Sequence, residues 1–160
     1  MNKAIRLKIG LDYHGVITAH PQYFSAFAHE ALARGAEVHI ITGGTKKEVA
    51  VHLKDWNIPF NKIFSIPDYY KAKGEEICLS SNESRIPDDL WDKAKAEYCS
   101  LEGINMHIDD SKEYIKWFTT PYCRYDGRSP QCITEDGHII DFNAAPSEVL
   151  DAIEQVVGRI

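Results

Sequence analysis

The stretch Ile9-Gly10-Leu11-Asp12-Tyr13-His14-Gly15-Val16-Ile17-Thr18 decides how the rest of the chain is read. Residues 5–11 alternate at first and then become wholly apolar, as a strand does on entering a sheet. The run stops abruptly at Asp12-Tyr13-His14-Gly15, so a carboxylate stands at the carboxyl end of the first strand.

Working outward, residues 21–34 carry Phe24, Phe27, Ala28, Ala31 and Leu32 at helical spacing, and Gly35 is a natural stop. Glu37-Val38-His39-Ile40-Ile41 reads as a second short strand. Thr45-Lys46-Lys47-Glu48 has the capping-box pattern, which predicts a helix from there to about Trp56. Residues 62–66 form a third strand after Pro59.

Beyond that the pattern is mixed and polar from Pro67 to Pro87, which predicts a small insert with a loop at Ser80–Ser84. Residues 88–100 then read as a helix stopped by Gly103, residues 104–108 as a fourth strand, 111–118 as a short helix and 122–125 as a fifth strand. Asp136-Gly137 between residues 132–135 and 138–142 is a hairpin turn signal, and residues 146–157 close the chain as an amphipathic helix.

Strands alternating with helices at short spacing predict an α/β fold: a three-layer, Rossmann-like parallel sheet with a C-terminal β-hairpin and helix. At 160 residues the expectation is one domain, residues 1–160, with the insert at 67–87.

A net charge of −6 argues against wrapping duplex nucleic acid, which needs a basic face. It leaves phosphate substrates open, because a bound divalent cation supplies positive charge locally. No apolar run approaches the ~20 residues of a membrane span. The N-terminus has no signal-peptide stretch, and Cys78, Cys99, Cys123 and Cys132 show no metal-ligand spacing. These features predict reduced thiols in a cytoplasmic protein, with a disulfide as the alternative.

In open α/β sheets ligands bind outside the carboxyl ends of the strands, where strand order reverses. Three strand ends carry suitable groups: Asp12, then Thr42-Gly43-Gly44, then Asp109-Asp110-Ser111. If these strands are neighbours, hard oxygen ligands for Mg²⁺ and a hydroxyl with glycine-freed amides for phosphate share one crevice. A nucleotide-binding phosphate loop at Gly43-Gly44-Thr45-Lys46 is excluded, because the first glycine of G-x-x-x-x-G-K-[ST] is missing. His107, inside an apolar strand, reads as a hydrogen-bonded core histidine rather than a ligand. Trp91, Tyr114 and Trp117 read as packing residues.

With these three segments in order, the sequence resembles the haloacid dehalogenase-like (HAD) superfamily of aspartate-dependent phosphohydrolases, as a small, nearly capless member. The first motif of that family, an apolar strand followed by Asp-x-Asp-Gly-(Val/Thr)-(Ile/Leu)-Thr, is similar to residues 9–18 except that His14 stands where the second Asp belongs. Residues 38–43 resemble its second motif and residues 106–111 its fourth. The third is a lysine ahead of the last strand, and Lys93 or Lys95 fills it, with Lys93 slightly favoured.

The resemblance implies a Mg²⁺-dependent phosphomonoester hydrolase working through an aspartyl-phosphate, on a nucleotide or another small phosphorylated substrate. Asp12 would be the nucleophile and His14 the acid/base, since an imidazole both gives and takes a proton near neutral pH. Asp12, the His14 backbone carbonyl and Asp110 would bind the metal, with Asp109 as a supporting or alternative ligand. Thr42, Gly43 and the lysine would hold the phosphoryl group. Two rival readings follow from His14. One is a non-catalytic phosphate- or partner-binding protein of the same fold. The other is a family enzyme of different chemistry, such as a dehalogenase or phosphonate hydrolase.

Overall fold

The computed structural model describes residues 6–73 and 88–158. A seven-stranded sheet runs in the order β3-β2-β1-β4-β5-β6-β7. Its strands are β1 (Lys8–Asp12), β2 (Glu37–Thr42), β3 (Lys62–Ser65), β4 (Met106–Asp109), β5 (Tyr122–Asp126), β6 (Gln131–Thr134) and β7 (Ile139–Asp141). The first five are parallel; β6 and β7 add antiparallel at the far edge. The architecture is α/β and Rossmann-like in general, with a C-terminal antiparallel portion.

Helices α1 (Pro21–Ala33), α2 (Lys46–Asp55), α3 (Ile66–Lys73), α4 (Asp88–Glu102) and α5 (Pro146–Val157) complete it. Ile9, Leu11, Val38 and Ile40 pack with Phe24 and Phe27 of α1, Val49 and Leu53 of α2 and Leu150 and Ile153 of α5. Ile41, Phe64, Tyr70 of α3 and Ala94 and Cys99 of α4 form a second cluster. Adjacent residues of β2 (Ile40 and Ile41) enter different clusters because successive strand side chains point to opposite faces. Helices therefore cover both faces of the sheet, and that burial supplies most of the driving force for folding.

The capping signal is realised at α2, where Thr45 Oγ1 accepts from the Glu48 N–H at 3.3 Å. The hairpin signal is realised too: Gly137 adopts φ +87° in the turn between β6 and β7. Residues 66–73, of which 67–73 fall in the expected insert, form helix α3 continuous with the end of β3. One expectation needs correction. The helix expected over 111–118 shrinks to one short turn at Ile115–Trp117. Ser111 instead uses its N–H on the Asp109 carboxylate at 3.0 Å, a local bond that competes with helix formation. The expected loop at residues 80–84 and Cys78 lie outside the described residues. Cys99, Cys123 and Cys132 are free and buried. Among the described residues no helix is long and apolar enough to cross a membrane.

Candidate functional site

Strand order reverses at β1, which sends its crossover through α1 to β2 on one side and pairs with β4 on the other. The register puts Asp12 beside Ile41 and Leu11 beside Ile108. Asp12, Thr42 and Asp109 therefore end three adjacent strands and open on one crevice, as the topological rule requires.

Asp12 and Asp109 are buried, and Asp110 beside them is exposed. Carboxylate oxygens of all three lie within 4.8 Å of one another. Lys95, reaching in from α4, donates to Asp12 Oδ1 at 2.9 Å and to Asp109 Oδ2 at 2.8 Å. His107 Nε2 also lies 2.9 Å from Asp109 Oδ2. The Tyr13 N–H donates to Asp12 Oδ1 at 2.9 Å, so two donors pin one carboxylate oxygen.

These contacts divide the two buried carboxylates electrostatically. Burial raises the Asp12 pKa; Lys95 offsets this only in part, and Asp109 and Asp110 add repulsion. Burial works against Asp109 as well, but Lys95 and His107 together overcome it and hold that carboxyl well below its ordinary value. Lys95, itself penalised by burial, is kept charged by both aspartates. Three carboxylates facing one lysine leave a negative excess in a partly dry crevice. A divalent cation with oxygen preference fits that excess, since it would offset the burial, and the repulsion added to it, that raise Asp12.

The turn after Asp12 is shaped by Gly15. Its φ is +82°, and the Thr18 N–H closes the turn on the Tyr13 carbonyl at 3.0 Å. A Cβ on Gly15 would lie 2.0 Å from Asp110 Oδ2, so glycine lets the turn approach the acidic group. His14 is exposed and its Cε1 comes 3.5 Å from where a Cβ on Gly44 would lie. His14 thus stands over the Thr42-Gly43-Gly44 loop. There the Thr42 hydroxyl accepts from the Gly44 N–H at 2.9 Å, and the Ser65 hydroxyl donates to the Gly44 carbonyl at 2.7 Å.

The structure thus brings together Asp12, His14, Thr42, Gly43, Asp109 and Asp110. It does not bring in Lys93. Lys93 Nζ lies 4.7 Å from the centre of the Trp117 ring, whereas Lys95 is buried against the aspartates. The two lysines are two residues apart on a helix, about 200° around its axis, so only one can face the sheet. Sequence reading missed Ser65, which braces the glycine loop and carried no signal beyond a serine at a strand end. Trp91, read as a packing residue, lies against Gly43. His107 is buried beside Asp109, and its Nδ1 has no hydrogen-bond partner among the described residues.

No protein-family model matches the sequence, and no curated protein matches it. Among solved structures, the chain is similar to a glycosyltransferase from Rickettsia africae ESF-5, with a TM-score of 0.41 and 14% identity. The match covers 74% of this chain and 29% of that one.

Proposed function

We propose that the chain is a Mg²⁺-dependent phosphomonoester hydrolase of the HAD type, acting through Asp12. The observation that carries this reading is the buried Lys95 bridge between Asp12 and Asp109 at the carboxyl ends of β1 and β4, with Asp110 beside it. A structural ion pair alone does not call for a third carboxylate and a glycine-opened turn next to it.

The Asp12 and Asp110 carboxylates and the His14 backbone carbonyl would hold Mg²⁺, with Asp109 in support. Bound there, the ion would neutralise charge on the phosphoryl oxygens. Asp12 attacks phosphorus while the ester oxygen leaves with a proton from the His14 imidazole. The Asp12–phosphorus bond is then broken by water, whose proton His14 takes back, releasing inorganic phosphate and regenerating the carboxylate. Lys95 holds the Asp12 carboxylate oriented through Oδ1, and Thr42 with the Gly43 amide orients the phosphoryl oxygens.

A panel of phosphate esters assayed with and without Mg²⁺ tests this. Mg²⁺-dependent phosphate release that falls to background in Asp12→Asn is expected. Retention of most of the rate in Asp12→Asn would sink the scheme. The second reading, a binding protein without turnover, is favoured by the histidine at position 14; wild type inactive on the whole panel while His14→Asp turns over would establish it.

A further inference from the structure

The chain carries 18 Lys and Arg against 24 Asp and Glu, so a concentration of cations at one place stands out from its average charge. Lys112, Arg124 and Arg128 line a single cavity of about 500 Å³ that begins at Gly15 and Asp110, on the edge of the acidic site. Each comes from a segment tied to that site. Arg124 pairs in register with Asp109 across β4 and β5. Lys112 follows Ser111, whose N–H is held by the Asp109 carboxylate.

Arg128 sits in the turn between β5 and β6, and this turn leans back over the loop that follows Asp12. A Cβ on Gly127 would lie 3.2 Å from Ala19 Cβ and 3.6 Å from the Gly15 carbonyl oxygen. The Arg128 N–H donates to Asp126 Oδ1 at 2.9 Å, which shapes the turn. None of the three cationic side chains forms an ion pair among the described residues. The cavity also holds Asp110 and Asp126. With Asp110 engaged at the cation site, one carboxylate is left against three positive groups.

We propose that this cavity is a second anion subsite and that the substrate is a small ester carrying two phosphoryl groups. This rests on the hydrolase reading. One phosphoryl group reacts at Asp12 and the other is held by Arg124 and Arg128 with help from Lys112. Arginine suits this role because its planar fork can bind two phosphate oxygens at once and stays charged at any working pH.

The test compares 1,3-propanediol bisphosphate with propyl phosphate in the presence of Mg²⁺. After halving for its two equivalent ends, the bisphosphate should show a kcat/KM at least about tenfold higher in wild type. Arg124→Gln combined with Arg128→Gln should bring that ratio to about one, mainly through KM. A ratio near one in wild type, or an unchanged ratio in the double variant, overturns the subsite. If the double variant does not fold, Arg128→Gln alone serves, since its side chain is exposed in a turn.

If wild type hydrolyses no ester, the hydrolase reading fails and calorimetry judges the subsite separately. The bisphosphate should then bind wild type at least about tenfold more tightly than propyl phosphate, and the variant should lose that difference. Equal binding of the two compounds by wild type overturns the proposal.

Discussion

Lys95 Nζ reaches Asp12 Oδ1 at 2.9 Å across 83 residues of chain, and both side chains are buried. Removing one partner of such a pair leaves the other charge uncompensated in the interior. Lys95→Met should lower unfolding stability by about 3–5 kcal/mol and abolish phosphate release. Lys93→Ala removes a group lying over the half-buried Trp117 ring, away from the aspartates, and should cost about 1 kcal/mol or less. Urea unfolding of both variants checks this; equal losses would show that the bridge is not the centre of the site.

Gly15 and Gly35 provide a matched pair. Their φ values are +82° and +80°, so alanine meets similar backbone strain at each, about 1–3 kcal/mol. Only at Gly15 would the new Cβ strike Asp110; at Gly35 nothing lies within 4 Å. Gly15→Ala should therefore weaken Mg²⁺ binding about tenfold or more, while Gly35→Ala leaves it unchanged. Titration calorimetry with Mg²⁺ decides, and equal affinities in the two variants would remove Asp110 from the cation site.

His14 should matter in proportion to how badly the leaving group needs a proton. His14→Ala is expected to slow alkyl phosphate hydrolysis by about 10²–10⁴-fold. With p-nitrophenyl phosphate, whose leaving group is already stable as an anion, the loss should be much smaller. An equal loss on both esters would mean that His14 positions substrate rather than transferring protons.

His39 and His107 should each lower stability as pH drops from about 7 to 5.5, while Asp12, whose carboxyl burial raises, takes up its proton in the folded state and acts in the opposite sense. Burial holds His39 below the ordinary histidine value despite the pull of Glu37 and Glu102, with Lys62 acting in the same sense as burial. Burial lowers His107 likewise, against Asp109. Both hold a proton less readily in the folded state than in the unfolded one, so through these two groups acid favours the unfolded chain. His39→Gln should flatten the slope of stability against pH in this window. An identical slope in His39→Gln and wild type would contradict the assignment.

The local elements were legible where they rested on local physics. Thr45 and Glu48 announced the start of α2, Asp136-Gly137 the β6–β7 turn, and Gly103 the end of α4, because caps and turns are satisfied within a few residues. Residues 111–118 misled because the Asp109 carboxylate draws in the Ser111 N–H. The slight preference for Lys93 over Lys95 was wrong, because both follow apolar neighbours at acceptable helical spacing (Leu90 and Trp91) and only the rotation of α4 separates them.

By itself, the sequence determined which groups stand at strand ends: Asp12, Thr42 and the Asp109-Asp110 pair, each closing an apolar run. Only the tertiary structure decided their meeting. The strand order sets β1 between β2 and β4, and the rotation of α4 turns Lys95 inward and Lys93 outward. It likewise placed Arg124 and Arg128 beside the acidic group, through pairing of β5 with β4 and the fold-back of the β5–β6 turn. The physical reason is range. Periodicity and capping act over a few residues, whereas a charge cluster depends on contacts made across the whole sheet, where burial gives each carboxylate and lysine its strength.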